Sequence, residues 1–241
     1  MRADESDGVV TPARLGVGRA GPRYTTASML KLRADHARAV DAVMTEVSAD
    51  WPRTNGLIEF HSEPATRDEY LHRPERGRRL RAAEIATLKA LNAPQRKKAS
   101  KPSVLVFIGD GLSSAAVEAN GGPLMRALTK ALGKKYRLLK PIFIRNARVR
   151  IEDHLGEILR PDLICMLVGE RPGLATAESL SAYVIYRPRR SSLEPDRTVI
   201  SNIHRGGIPI AEASKKIAAL IDDAIFHRAT GARLASLLVP E

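Results

Sequence analysis

Aromatic rings make up only 4% of this chain, and it has a single cysteine, Cys165. The first scarcity leaves packing to aliphatic side chains, and the second excludes an internal disulfide. Cys165 sits inside an apolar run, which predicts a buried, inert thiol in a cytoplasmic protein. No apolar run approaches the roughly 18 residues needed to span a bilayer. The opening residues, MRADESDGVVTPARLG, lack the apolar core of a secretory signal. Catalytic and ligand motifs are missing too. There is no G-x-x-x-x-G-K-[ST] phosphate loop, no G-x-S-x-G nucleophile turn, and no Cys, His and carboxylate cluster at metal-ligand spacing.

What remains is the composition of a folded soluble protein, 44% hydrophobic and 27% charged over 241 residues. That length suits one large domain or a domain with a substantial extension. A formal charge of +12 asks for an anionic partner. The basic residues are scattered, with Arg73, Arg76, Arg78, Arg79 and Arg81 in one region and Arg96, Lys97, Lys98 and Lys101 in another. No nucleic-acid-binding signature accompanies them. A solvated basic face, or one that meets an acidic subunit, is the preferred reading. A stand-alone basic α/β nucleotide- or nucleic-acid-binding protein is the alternative.

Residues 1–13 read as a flexible N-terminus. Residues 14–99 read as a smaller, mainly helical region, with a helix over Thr25–Val47 on which Met29, Leu32, His36, Val40 and Val43 share a face. Gly56–Glu63 is strand-like, and Pro74–Asn92 is helical again. The Pro, Lys and Ser content of 93–102 marks a linker, and 100–241 forms an α/β domain. In that domain Val104–Ile108, Ile142–Ile144 and Leu163–Val168 are unbroken apolar runs, as expected of strands buried on both faces. Ser113 fits a helix N-cap, with helix continuing to Leu132. Val149 and Ile151 alternate with charged neighbours and suggest a short strand, followed by a helix over Glu152–Leu159. A helix through Ser179–Leu180, a strand at Ala182–Tyr186, an extended Thr198–Ile203 and a helix from Ala211 to His227 complete the pattern. Alternating strands and helices predict an α/β fold with a doubly wound, mostly parallel, Rossmann-like sheet.

Ligands of such sheets bind beyond the carboxyl ends of the strands. Those ends carry Gly109-Asp110-Gly111, Arg145-Asn146 and Gly169-Glu170-Arg171. Glycine permits close backbone approach there, and Glu170 can meet a ligand. The neighbouring acids Glu152-Asp153 and Asp222-Asp223 point to different faces of their helices and read as solvated surface. Asp153-His154-Leu155-Gly156 has residue types of the D-x-H-x-x-G cobalt-coordinating motif at the wrong spacing, so no axial histidine is expected.

Several stretches together resemble the small (light) subunit of ethanolamine ammonia-lyase. They are GRAGPR (Gly18–Arg23), ADHARA (Ala34–Ala39), DGLS (Asp110–Ser113), ARVRIEDHLGEIL (Ala147–Leu159), LVGERPGL (Leu167–Leu174), ESLSAYVIYRPR (Glu178–Arg189), DRTVISNIH (Asp196–His204), and Gly206, Gly207 and Pro209. The resemblance implies a subunit of a carbon–nitrogen lyase that uses adenosylcobalamin to convert ethanolamine to acetaldehyde and ammonia. It also implies that the large subunit carries the chemistry, and that no catalytic residue or metal ligand lies on this chain. The two chains would form a heterodimer within a higher hetero-oligomer, with no nucleic-acid or membrane partner. By the same resemblance Val149, Glu170 and Val199 are cobalamin contacts, with valine at Val199 where relatives often carry cysteine. The location implied is the cytoplasm or a bacterial microcompartment. Only about a dozen residues precede the region of resemblance, fewer than the amphipathic extension of microcompartment relatives.

Overall fold

A computed structural model describes residues 17–92 and 101–238. The flexible N-terminus expected at 1–13 and the domain junction expected at 99–100 lie outside the described residues. The chain enters through a small antiparallel hairpin, β1 (Arg19–Ala20) and β2 (Arg23–Tyr24), turned by Gly21 at φ +63°. Helix α1 (Thr26–Met44) follows, its start capped by Thr25 Oγ1 accepting from the Ser28 N–H. The predicted helix is present, but among the described residues its apolar row is left largely uncovered. Met29, Leu30, Val40 and Met44 are exposed, and Asp35 is its only buried residue.

Short helix α2 (Trp51–Thr54) leads to strand β3 (Ile58–His61), then to α3 (Arg67–His72) and α4 (Ala82–Asn92). The later elements are β4 (Ser103–Gly109), a short α5 (Ser114–Ala116), and a π-helical turn at Val117–Gly121 that runs into α6 (Gly122–Leu132). Next come β5 (Arg137–Leu138), β6 (Ile142–Arg145), α7 (Ile151–Leu159), β7 (Leu163–Gly169), β8 (Leu180–Tyr186) and β9 (Thr198–Ile203). Helices α8 (Ile210–His227) and α9 (Gly231–Leu238) close the described chain.

The sheet runs β3-β6-β4-β7-β8-β9, with β5 attached to the start of β4. Strands β3, β6, β4, β5 and β7 pair in parallel, whereas β7–β8 and β8–β9 pair antiparallel. The fold is α/β, but the expected mostly parallel, doubly wound Rossmann-like sheet is corrected to a mixed one. The reason lies in the connections. A parallel return needs a long crossover, usually helical, and the segment between Gly169 and Leu180 contains no helix. The helix expected at Ser179–Leu180 is instead the start of β8, which folds straight back along β7.

Strand periodicity builds two cores. Val104, Val106 and Ile108 of β4 face a cluster with Leu124 and Leu128 of α6 and Ile217 and Ile221 of α8. Leu105 and Phe107 face the opposite cluster, with Leu88 of α4 and Ile151 and Leu155 of α7. Both faces of the central strands are therefore covered, which is why their sequences read as unbroken apolar runs. Cys165 is wholly buried in the first cluster, and burial pushes its thiol pKa up.

Candidate functional site at the carboxyl ends of β4, β6 and β7

The strand that follows β4 lies on one side of it, and the strand that follows β6 lies on the other. The loops therefore diverge between β4 and β7, the kind of switch point where α/β sheets open a crevice. Gly111 has φ +59°, and a Cβ there would sit 2.3 Å from the Gly169 carbonyl oxygen. A Cβ on Gly169 would sit 2.2 Å from the Ser113 carbonyl oxygen. The loops after β4 and β7 touch only because both residues are glycine.

Asp110, fully buried, ties the third loop in. Its carboxylate accepts the Asn146 N–H at 2.8 Å and the Ala147 N–H at 3.0 Å, with Arg67 Nη1 at 3.4 Å. Burial raises its pKa, and Arg67 and the two N–H donors oppose that rise. Tyr70 braces the same loop: its hydroxyl donates to the Ala147 carbonyl at 2.9 Å, and its ring has the Arg148 guanidinium at 4.2 Å and that of Arg67 at 4.8 Å.

Together these loops enclose a cavity of about 190 Å³ whose lining includes Gly111, Arg148, Val149, Glu170, Ser181 and Tyr183. Glu170 Oε1 accepts the Ser181 hydroxyl at 2.8 Å and the Asn202 N–H at 2.8 Å. Among the described residues both of these donors reach Oε1, and no protein donor reaches Oε2. Val149 and Tyr183 supply the apolar wall. A larger groove of about 480 Å³ adjoins it through Leu112, Arg148 and Arg171, lined on its far side by Val40, Val43 and Met44 of α1. Of the three residues singled out in the sequence, Glu170 and Val149 share the cavity. Val199 does not line it. It is 43% exposed on the edge strand β9, directly opposite Tyr183 and hence on the same face of the sheet.

The model of the ethanolamine ammonia-lyase light chain (EutC) family matches residues 8–235. The chain belongs to this family. It is 46% identical over 225 residues to the ethanolamine ammonia-lyase small subunit of Lachnoclostridium phytofermentans, covering 93% of this chain and 74% of that one. Proteins of the same description from Fusobacterium nucleatum and Clostridioides difficile are 46% and 45% identical, each over 92% of this chain and 73% and 74% of theirs. The light-chain family match contains every loop of the cavity.

Two local readings are corrected. Val149 and Ile151 form no strand: Val149 lies in the turn whose carbonyl accepts the Glu152 N–H, and Ile151 begins α7. Glu152 and Asp153 are not solvated surface. Both are buried against Arg197, whose Nε lies 3.1 Å from Glu152 Oε2 and whose Nη2 bonds Asp153 Oδ1. His154 is structural, accepting the Leu80 N–H through Nδ1 at 3.0 Å. Ser181, Asn202 and Tyr183 were missed as site residues. The one signal for Asn202 was an asparagine in a strand-like run, since asparagine tolerates positive φ and here adopts +61°.

Proposed function

We propose that the chain is the small subunit of an adenosylcobalamin-dependent ethanolamine ammonia-lyase, which converts ethanolamine to acetaldehyde and ammonia. It completes the cobalamin pocket at its interface with the large, catalytic subunit. The observation that carries this reading is the Glu170 carboxylate in the lining of the strand-end cavity, with both of its protein donors among the described residues on Oε1.

The cavity fits part of a corrin and not the whole. Pockets that enclose a drug-sized ligand measure roughly 300–1,000 Å³, against about 190 Å³ here. One amide arm of the corrin rim is a suitable occupant. Its NH₂ donates, Glu170 accepts as an ionised group, and such bonds are the stronger ones. Val149 and Tyr183 offer apolar contact beside it, and Val199 extends that wall toward the sheet edge. When bound, adenosylcobalamin supplies the radical chemistry. This chain binds, orients and covers. Its buried acids are already engaged, Asp110 with backbone N–H groups and Glu152 and Asp153 with Arg197.

The remainder of the ligand must lie against another chain, which supports a heterodimer with the large subunit and assembly into a higher hetero-oligomer. The exposed apolar row of α1 beside the site is a surface suited to that partner. The basic charge does not require nucleic acid. Arg73, Arg76 and Arg79 pair with Glu75, Glu69 and Glu63. No described helix is long and apolar enough to cross a membrane, and residence in the cytoplasm or a microcompartment accords with that.

Glu170→Gln tests the reading. In the assembled complex it should weaken cobalamin binding by about tenfold, ~1.4 kcal/mol, as a charged acceptor becomes a neutral amide. Unchanged affinity would rule Glu170 out as the corrin acceptor.

A further inference from the structure

We infer that Ser181 and the backbone N–H of Asn202 are positioning groups that orient the Glu170 carboxylate, saturating Oε1 so that Oε2 alone meets the ligand. The inference rests on the cobalamin reading of the site and adds the residues that make Glu170 competent for it.

Three features converge on Glu170. Ser181, buried on β8 and opposite Val168 of β7, donates its hydroxyl to Oε1. Asn202 donates its N–H to the same oxygen from β9, two strands from β7. That N–H reaches it because β9 bulges: between the pairs Leu180↔Ile203 and Ala182↔Ile200, β9 carries one residue more than β8. Bulges turn backbone and side-chain groups out of the regular ladder, often beside functional sites. Asn202 occupies the bulge at φ +61°.

The bulge is held from behind by the residues that follow it. Gly206 N–H donates to His204 Nδ1 at 3.1 Å, so the ring proton lies on Nε2 and is donated to Asn202 Oδ1 at 2.8 Å. Ile208 N–H donates to the Asn202 carbonyl at 2.8 Å. A Cβ on Gly207 would lie 2.3 Å from that carbonyl oxygen, so only glycine fits. The stretch from Asn202 to Pro209, N-I-H with two glycines and a proline behind it, thus acts as a clamp on one backbone N–H. Pro209 then takes the N-cap position of α8, its carbonyl accepting the Ala213 N–H at 2.8 Å, and ties the loop to a helix that packs one face into the core.

The test is a titration with cyanocobalamin, followed by absorbance, of the complex formed with the large subunit. Ser181→Ala removes one donor, and Ser181→Thr restores it. Asn202→Val opposes positive φ, whereas Asn202→Gly keeps both positive φ and the N–H. Ser181→Ala and Asn202→Val should each weaken binding about tenfold, the order of one hydrogen bond to an ionised acceptor. Ser181→Thr and Asn202→Gly should stay within about twofold of wild type. Added to Glu170→Gln, Ser181→Ala should cost little more, because the two act through one carboxylate. If Glu170→Gln weakens binding but Ser181→Ala and Asn202→Val do not, or their effects simply add to it, the positioning role is wrong. A loss in Asn202→Gly equal to that in Asn202→Val also overturns it, since the N–H would not be what matters. No effect of Glu170→Gln instead overturns the cobalamin reading itself.

Discussion

Replacing Arg197 by methionine removes the one cation shared by two buried carboxylates. The Arg197 side chain is 2% exposed, that of Glu152 is fully buried and that of Asp153 is 7% exposed. Asp153 would keep Arg150 at 3.1 Å, but Glu152 would keep no cation within salt-bridge range among the described residues. Breaking a buried pair costs about 3–5 kcal/mol, against roughly 1 kcal/mol or less for an exposed one. In a chain of this length each kcal/mol moves Tm by about 2–4 °C, so Arg197→Met should lower it by about 6–20 °C. The loss should also depend on pH. Burial holds Glu152 well above the usual carboxylate range, with Arg197 pulling it back down, and burial raises Asp153 as well. A folded acid with a raised pKa keeps a proton that the unfolded acid has released. Stability therefore falls as pH rises from the unfolded value of roughly 4.3 toward the folded one. Without Arg197 that window extends upward, so the deficit should be larger at pH 8 than at pH 5. Urea and thermal unfolding, followed by circular dichroism at pH 5, 7 and 8, measure it. Adding Glu152→Gln to Arg197→Met should recover part of the loss at pH 8. A variant within about 1 kcal/mol of wild type, or a deficit flat with pH, would refute the view that Arg197 offsets the burial of these two carboxyls.

Gly111 in the loop after β4 and Gly173 in the loop after β7 can be told apart. Gly111→Ala should cost about 2–4 kcal/mol in urea unfolding, from positive φ and a clash with the Gly169 carbonyl. Gly173→Ala should stay within about 0.5 kcal/mol, since its Cβ would meet nothing closer than 3.9 Å. Equal effects would remove the close-approach explanation. Cys165, wholly buried with its thiol pKa raised, should resist iodoacetamide at pH 7.5 and react fully in urea. Rapid native labelling would mean that the first core opens easily.

The parallel half of the sheet was legible because burial on both faces writes β4 and β7 as unbroken apolar runs. Its antiparallel half was not. Direction is set by the connection, and the turn marked by Pro172-Gly173 does not say whether a short helix follows before the chain returns. Val149 and Ile151 misled for a related reason. Two apolar residues at spacing two imitate a strand, although Ile151 belongs with Leu155 and Ile158 on one face of α7. Glu170 could be singled out from its place between two glycines after a buried strand. Its partners could not, because Ser181 and Asn202 reach it only through the register of β8 and the bulge in β9. Arg197 lies about 45 residues from the acids it neutralises, and charge by itself says nothing of burial.

The most direct measurement is equilibrium binding of cobalamin, followed by its absorbance spectrum, to three samples: this chain alone, the large subunit alone, and the co-purified pair. A pocket divided between two chains should give weak binding by this chain and tight binding by the pair, which should also form acetaldehyde from ethanolamine. Tight binding by this chain alone, or a pair that binds no better than the large subunit, would contradict the shared pocket.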